Sequence, residues 1–409
     1  MNLVFRLAWR NLWRQPRRTW LTTGAMVFSN TLLVFMISLQ FGMYGLMIDN
    51  TLQAFTGHLQ VQAPGYIDDQ KMRQTVPGIA PLAERLRAEF PEQHVAARAN
   101  GFALISSADR SYGVAVVGVQ PDYEPHVSTL PGLVSAGRYL DDNDAAEIII
   151  GAALARNLRV DVGDELTLLG SGKDGSFAAA VVVIAGIFDS GLPDFDRSIT
   201  TIPLGLFDDV FYMNGSGHHV VFNNGGISGV TALQAGVEAA LPPGVDLVVH
   251  DWDALQPGLQ QAIKADMSSA FFMYGILVIL VAFSVLNTQL MSVLERTHEF
   301  GIVMALGLTP GRLGRLVLLE TAIMGLMGLV LGAILGGLLT WWLSVHGFAY
   351  PGMEEMAAKF NLPARFYPEV STISLLSGPV VVFLFTVLAA LYPALRLHKL
   401  HPVEAMRAL

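Results

Sequence analysis

The chain has 409 residues, of which 52% are hydrophobic and 14% are charged, and its formal net charge is −9. This blend is typical of a membrane protein that also carries a soluble domain, and the acidic balance disfavours nucleic acid as a partner. The sequence has no cysteine, which excludes disulfides, thiolate catalysis and cysteine-ligated metal sites.

Four long apolar stretches dominate the pattern along the chain. A helix needs about 20 apolar residues to cross a bilayer, and only helices and closed barrels satisfy their backbone groups there. These stretches therefore predict four membrane helices, in residues 20–48, 267–294, 313–345 and 375–397. The remaining predicted segments are residues 1–19, 49–266, 295–312, 346–374 and 398–409.

The basic residues beside the predicted spans set the expected orientation. Several arginines and no acid precede the first span, and further bases follow the fourth. The positive-inside rule then puts both termini and residues 295–312 in the cytoplasm, with 49–266 and 346–374 outside. The first span exceeds the apolar core of a signal peptide, so we expect a signal anchor.

The outer region combines strand and helix patterns, which predicts an α+β domain. Alternating or β-branched runs predict strands at 57–63, 111–119, 164–170, 178–188 and 218–223. Amphipathic runs predict helices at 81–90, 151–160 and 230–242. We expect 252–272 to form one helix that enters the second span, with Pro257 in its first turns.

The sequence has no recognisable catalytic motif. LGSGKDG (169–175) is similar to a phosphate loop, but Thr167 and Asp174 stand where that motif needs glycine and serine or threonine. We predict a hairpin turn there. His218 and His219 are adjacent, so along a strand they point to opposite faces and cannot share a metal. We predict both at the surface, and we expect no metal, no bound cofactor and no enzyme.

Two groups of residues in the predicted spans are candidates for helix packing and for binding of an apolar ligand. Gly328, Gly332 and Gly336 recur every four residues in the third span and suit close approach of a helix, from the same chain or from another subunit. A soft surface for a greasy ligand is predicted at Met43, Met47, Phe271 and Phe272. The alternative for these four is simple contact with lipid.

The connection after the second span is the most specific segment. ERTHEFGIVMALGLTPGRLGRLVLLE (295–320) has a charged start, a short amphipathic stretch, a break at Gly307 and a helix start at Thr309-Pro310. This predicts a short helix along the membrane surface. The segment resembles the E-R-x-x-E-x-G-x-x-x-A-x-G motif of the FtsX/MacB-like ABC permeases, of the mechanotransmission type, at Glu295, Arg296, Glu299, Gly301, Ala305 and Gly307.

Further segments extend this resemblance over most of the chain. Residues 7–22, 137–168 and 391–407 are similar to the family's N-terminal helix, outer-domain pattern and C-terminal ending. Residues 58–66 and 183–204 resemble the lipoprotein-release LolC/LolE branch. The hairpin at 169–177 is shorter than the hook with which LolC-type permeases hold a periplasmic carrier, which disfavours direct carrier binding.

The resemblance implies a fold of four transmembrane helices in a 1+3 arrangement with a large MacB-like periplasmic α+β domain, in the bacterial inner membrane. It implies a non-catalytic permease that pairs with a second permease subunit. ATP and Mg²⁺ are then bound by a separate ATPase dimer, which contacts the motif residues above together with Met304.

The implied substrate is a lipoprotein or another lipidic envelope component, and a periplasmic carrier or adaptor is a further potential partner. Two alternatives stay open. One is export of drugs, peptides or amphiphiles through an adaptor, and the other is FtsX-like activation of a cell-wall hydrolase without transport.

Overall fold

The computed structural model describes residues 3–349, 351–352 and 365–397. The predicted tail 398–409 and residues 353–364 of the predicted outer loop lie outside the described residues. The chain divides into two compact units. Among the described residues, the helical unit holds 3–44, 262–349 and 365–397, and the sheet unit holds 45–261 and 351–352.

The described helices are numbered in chain order. They are α1 (Leu3–Leu12), α2 (Pro16–Thr51), α3 (Ile79–Glu89), α4 (Glu124–Val127), α5 (Ala152–Leu158), α6 (Pro193–Ser198), α7 (Leu204–Phe211), α8 (Val230–Ala240), α9 (Trp252–Leu255), α10 (Pro257–Glu295), α11 (Thr297–Ala305), α12 (Pro310–His346) and α13 (Thr372–Arg396). A π-helical turn, Leu52–Thr56, extends α2, and a 3₁₀ turn covers Leu130–Leu133.

Four of the described helices are long and apolar enough to cross a membrane. They are α2 with its π-helical extension, α10, α12 and α13, with mean hydropathies of 1.8, 2.4, 2.3 and 2.3. One precedes the sheet unit and three follow it. The predicted fold class, four apolar helices in a 1+3 order with a large α+β domain, is confirmed.

The predicted helix from residue 252 into the second span is wrong at its start. The helix α9 ends at Leu255, Gln256 has φ −128° and ψ 60°, and α10 begins at Pro257. Proline disfavours helical geometry in the residue before it and favours the first position of a new helix. From Pro257 onward, α10 continues without a break to Glu295.

The sheet unit is built on one mixed sheet of ten strands. The described strands are β1 (Leu59–Gln62), β2 (His94–Ser106), β3 (Ser111–Val119), β4 (Val134–Gly137), β5 (Glu147–Gly151), β6 (Glu165–Ser171), β7 (Phe177–Phe188), β8 (Ile199–Pro203), β9 (His219–Asn223) and β10 (Val248–Asp251). Their order is β10-β1-β9-β2-β3-β8-β5-β7-β4, and β6 pairs with both β2 and β7. The β3–β8 and β5–β7 pairs are parallel and the others are antiparallel.

Helices pack on the sheet to form a large apolar core. Side chains of α3, α5, α7 and α8 bury themselves against alternate strand residues such as Val116 of β3. A smaller cluster includes Val117 and Val119 of the same strand, together with Phe188. Because neighbouring strand residues point to opposite faces, the sheet carries apolar contacts on both of its faces.

The β6–β7 connection confirms the predicted hairpin. The two strands pair antiparallel from Glu165–Val183 to Ser171–Phe177. A tight turn closes them, in which the Gly172 N–H donates to the Ser176 carbonyl over 2.9 Å. The glycine-rich segment therefore serves the turn.

The prediction that His218 and His219 lie at the surface is wrong. Both rings are buried, and the His218 Nδ1 accepts from the Asn100 N–H over 2.9 Å while its ring stacks on Tyr66. Burial lowers the pKa of His218 to about 4. Burial also lowers the pKa of His219, and the nearby Arg98 charge adds to that effect. Both imidazoles are therefore neutral near pH 7.

A buried ion pair anchors the end of the first membrane helix to the sheet. Arg98 of β2 meets Glu124 of α4, with the Nη2–Oε1 distance at 2.5 Å and the Nε–Oε2 distance at 3.0 Å. Ser128 donates to Glu124 over 2.7 Å. Arg98 also donates to the Phe55 carbonyl, and its guanidinium lies 4.3 Å from the centre of the Phe55 ring. The π-helical turn that follows α2 is thereby held to the sheet unit.

Removal of one partner tests this anchor. We expect Glu124→Gln to lower the free energy of unfolding of the sheet unit by about 3–5 kcal/mol, because it leaves a buried guanidinium without its counter-charge. The measurement is urea unfolding of the full-length protein in detergent, followed by proteolytic susceptibility.

The control is Asp194→Asn, which breaks an exposed pair with Arg197. Exposed ion pairs contribute little to the free energy of unfolding. This variant should therefore unfold at the same urea concentration as the wild type. Equal midpoints for Glu124→Gln and Asp194→Asn would show that the buried pair does not anchor the domain.

Candidate coupling site

The segment between α10 and α12 forms one short helix with sharp ends. Arg296 separates α10 from α11, and α11 ends at Ala305. Gly307 has φ +100°, a conformation that favours glycine and turns the chain back. Pro310 then starts α12, where a missing N–H costs no helical hydrogen bond.

One side of α11 packs on the chain's own membrane helices. Phe300 and Met304 are buried in an apolar cluster with Val293, Leu313, Val317 and Leu397. Gly301 is buried as well. The sequence predicts Gly301 and Met304 as contacts of the ATPase. Both are buried against the chain's own helices, and their contact with the ATPase stays a prediction.

The other side of α11 is open to solvent in this chain. Leu306, which directly follows α11, is 83% exposed, and Ile302 is exposed one helical turn before it. Ala305 and Gly307 are also exposed, and Glu299 is half-buried. The motif pattern does not include Ile302 or Leu306, and the only sequence signal for them is their place beside the Gly307 break.

A buried carboxylate joins α11 to the N-terminal helix. Glu320 of α12 accepts a hydrogen bond from the Asn11 side chain of α1 over 2.7 Å. It also accepts from Arg296 over 3.3 Å, and it is buried. An ionisable residue inside an apolar span marks a functional position by default, so Glu320 was detectable in the sequence.

Three more ion pairs surround Glu320. Arg14 pairs with Glu299 at 3.1 Å, Arg18 with Glu295 at 3.3 Å, and Arg296 with Glu299 at 3.5 Å. An exposed ion pair adds only about 0.2–1 kcal/mol to the free energy of unfolding. Loss of one partner from a buried pair lowers that free energy by about 3–5 kcal/mol. The motif residues Glu295, Arg296 and Glu299 thus hold α11 to the N-terminal segment, and Glu320 is the centre of that contact.

The arrangement lets a force on α11 reach several helices at once. Glu299 of α11 pairs with Arg14, which lies between α1 and α2, and the apolar cluster connects α11 to α10 and α12. Arg18 of α2 pairs with Glu295 at the end of α10. A polar cleft of about 180 Å³ remains between these elements, beside Asn11, Arg18 and Glu320. Among the described residues, no group of three or more metal-ligating side chains has the geometry to hold an ion.

The predicted glycine face lies against α2 of the same chain. A Cβ atom built on Gly328 would lie 2.7 Å from the Met26 Cβ, and one on Gly336 would lie 2.8 Å from the Val34 Cβ. A Cβ atom on Gly332 would lie still closer to Asn30, whose amide donates to the Gly328 carbonyl over 3.0 Å. The absence of side chains at these positions allows α12 and α2 to approach closely.

The candidate substrate contacts are exposed on the first two membrane helices. Met43 and Met47 lie on α2, and Phe271 and Phe272 lie on α10. Phe271 also lines an apolar groove of about 230 Å³ in the helical unit, formed by α2, α10 and α13. The structure thus leaves apolar surface free at these positions.

Comparison with known families covers nearly the whole chain. The model of the MacB-like periplasmic core domain matches residues 19–247, and that of the FtsX-like permease C-terminal region matches residues 271–402. The two matches follow each other along the chain, and the second includes the whole of α11.

Individual relatives agree with these matches. The lipoprotein-releasing system transmembrane protein LolC of Xylella fastidiosa (strain 9a5c) is 24% identical over 319 residues, which is 71% of this chain and 72% of the relative. LolE of Haemophilus influenzae is 23% identical over 326 residues, 74% of each chain. The crystal structure of the periplasmic region of MacB from Actinobacillus actinomycetemcomitans is 12% identical, covers 52% of this chain and 96% of that one, and has a TM-score of 0.36.

The MacB-like match alone spans more than half of the chain, and the motif around α11 has the family's residues in order. The chain therefore belongs to the FtsX/MacB-like family of ABC transporter permeases.

Proposed function

We propose that this permease converts ATP hydrolysis on a separate ATPase dimer into movement of its outer domain. The movement extracts or releases lipoproteins, or another lipidic envelope component, from the inner membrane. The observation that carries the proposal is α11, whose one side is fixed to the chain's own helices while Ile302 and Leu306 remain exposed. The naming of LolC and LolE for lipoprotein release supports the substrate class.

A single helix provides the path for the movement. The helix α10 has 39 residues, from Pro257 to Glu295, which corresponds to about 60 Å at 1.5 Å per residue. Its last residue adjoins α11 and its first lies in the sheet unit. Because each turn is closed by backbone hydrogen bonds, a displacement at Glu295 carries through to Pro257.

Polar contacts make α2 and α10 move together. Tyr44 of α2 donates to Asp266 of α10 over 2.5 Å, and Tyr274 of α10 donates to Gln40 of α2 over 2.8 Å. These groups satisfy one another close to the outer ends of the two helices. We infer that α2 and α10 act as one paired lever, and that a second permease subunit supplies the opposing pair.

The exposed apolar residues suit a lipidic substrate. Met43 lies on α2, and Phe271 and Phe272 lie on α10, so acyl chains that leave the bilayer can contact the same pair of helices that the ATPase moves. In this proposal ATP and Mg²⁺ are bound by the ATPase alone. A periplasmic carrier or adaptor would then receive the released molecule.

The first prediction from this proposal concerns the exposed side of α11. Leu306→Asp should weaken binding of the ATPase at least tenfold, because the interface would have to bury an unpaired carboxylate. The measurement is copurification of the ATPase with the tagged permease, together with the ATPase rate of the complex in nanodiscs.

A matched control is Thr309→Asp, which adds the same charge three residues further along. Thr309 is the N-cap of α12, a position where aspartate is well tolerated. If Leu306→Asp binds and hydrolyses like Thr309→Asp, the coupling face is assigned wrongly.

The second prediction concerns orientation, which the chain's lack of cysteine makes simple to test. Asp174→Cys, in the exposed hairpin turn, should react with an impermeant maleimide added to intact spheroplasts. His298→Cys, exposed on α11, should react only after the membrane is permeabilised. Labelling of His298→Cys alone in intact spheroplasts would reverse the topology and contradict the proposed mechanism.

The third prediction concerns the substrate. A photo-crosslinking amino acid at Phe271, in the complete complex in cells, should capture lipoproteins, whereas one at Phe283 of the same helix should capture bilayer lipid only. Both side chains are exposed. Phe283 lies twelve residues further along α10, on a face about 120° away from Phe271, and it does not line the apolar groove.

Other outcomes of this experiment favour the alternatives. Capture of a soluble amphiphile at Phe271 would support export through an adaptor. A functional complex that never captures a substrate would support FtsX-like regulation, and it would contradict lipoprotein release.

A further inference from the structure

The sheet unit contains a cavity at the point where the first membrane helix ends. Its volume is about 650 Å³, within the range of small-molecule binding sites. Residues 50–56, at the end of α2 and in its π-helical turn, form one wall. Gln256, directly before α10, lies at the same cavity.

The walls of the cavity are apolar and the described lining carries no charge. Phe55, Leu133, Phe195 and Ile199 contribute apolar side chains from four different segments. Leu192, which also lines the cavity, is 52% exposed, as expected for a residue at an opening. An ionised ligand would lose its hydration there without a counter-charge, so the lining selects for an uncharged, largely apolar occupant.

A few neutral hydrogen-bonding groups accompany these walls. Asn50, Gln53 and Gln256 bring amide side chains to the cavity. The Asn50 amide nitrogen is buried and has no partner among the described residues. Because protein atoms cover this nitrogen, the polar character of the cavity comes from Gln53, Gln256 and the hydroxyl groups of its lining.

Hydrogen bonds hold the walls of the cavity in place. The Arg98 guanidinium holds the Phe55 carbonyl, and the Thr129 N–H donates to the Gln53 carbonyl over 2.8 Å. On the opposite wall, Ser190 donates to the buried Asp196 over 2.6 Å. These contacts fix the walls, so a ligand does not have to order them.

We propose that this cavity binds an acyl chain of the lipidic substrate. The inference rests on the proposed function and adds a binding site outside the membrane-spanning segments. The helix that crosses the membrane runs unbroken from Pro16 to Thr56, so its last turns form the cavity wall. The apolar lining of the cavity would shield an acyl chain from water.

The test is photo-labelling of the complete permease–ATPase complex in nanodiscs of phosphatidylethanolamine and phosphatidylglycerol. One probe is a synthetic diacylated lipopeptide with a diazirine in its acyl chain, and the other is a phosphatidylethanolamine with the same group. Mass spectrometry then locates the labelled residues. We expect the lipopeptide to label residues 50–56, 129–133 and 190–199, although bilayer lipid is present in large excess as a competitor.

Two variants distinguish labelling that arises from binding in the cavity from labelling that arises from general contact with lipid. Ala54→Trp fills the cavity, and Leu192→Asp places a charge at its opening. Each should reduce lipopeptide labelling of these segments at least fivefold. Ala179→Trp adds the same bulk at an exposed position on β7 and should label like the wild type. Leu192 is half exposed, so its substitution tests the site even if Ala54→Trp fails to fold.

The outcomes distinguish this inference from the proposed function. Equal labelling by the phospholipid probe would overturn the assignment to substrate, and labelling confined to membrane helices would overturn the site. Lipoprotein release from spheroplasts is measured in parallel. Release without labelling of the cavity contradicts only this inference, whereas labelling without release contradicts only the proposed function.

Discussion

The structure depends on one constraint, which is that hydrocarbon offers no hydrogen-bond partner to a peptide group. Every segment that crosses the bilayer must therefore satisfy its backbone internally, and uninterrupted helices do so. The unbroken apolar parts of α2 and α10 follow from this. In the proposed mechanism, the same continuity lets α10 carry a displacement along its axis.

Charged groups are placed where these helices meet other elements. At one end of α10, Arg296 and Asn11 converge on the buried Glu320. Beyond the end of α2, Arg98 binds both Glu124 and the carbonyl of Phe55. Both contacts combine a buried charge with donors from different segments, and such contacts are lost as a unit when one partner is removed. The first contact attaches the junction of α10 and α11 to α12, and the second attaches the turn after α2 to β2.

The close approach of α2 and α12 depends on small residues in place of charge. Gly328, Gly332 and Gly336 leave room for α2 side chains, since helices in lipid associate through close packing instead of the hydrophobic effect. A separate apolar cluster around Phe300 and Met304 buries one side of α11 and, among the described residues, leaves its other side exposed. The exposed pair of Ile302 and Leu306 is therefore a consequence of how the rest of the chain packs.

The sequence by itself determined the fold class, the order of the membrane helices, the β6–β7 hairpin and the family, because apolar length, turn residues and motif spacing are local properties of the chain. Tertiary structure decided which residues meet. The strand β2 escaped prediction because its alanine-rich run and Arg98 lack a clear alternation, and Arg98 becomes compatible with the core only through Glu124. Likewise, the sequence carried no sign that His218 is buried or that Met304 faces inward, since burial depends on partners far away along the chain. Local sequence patterns therefore predict where helices and strands form. Which side of each element is buried depends on partners that are distant in the sequence.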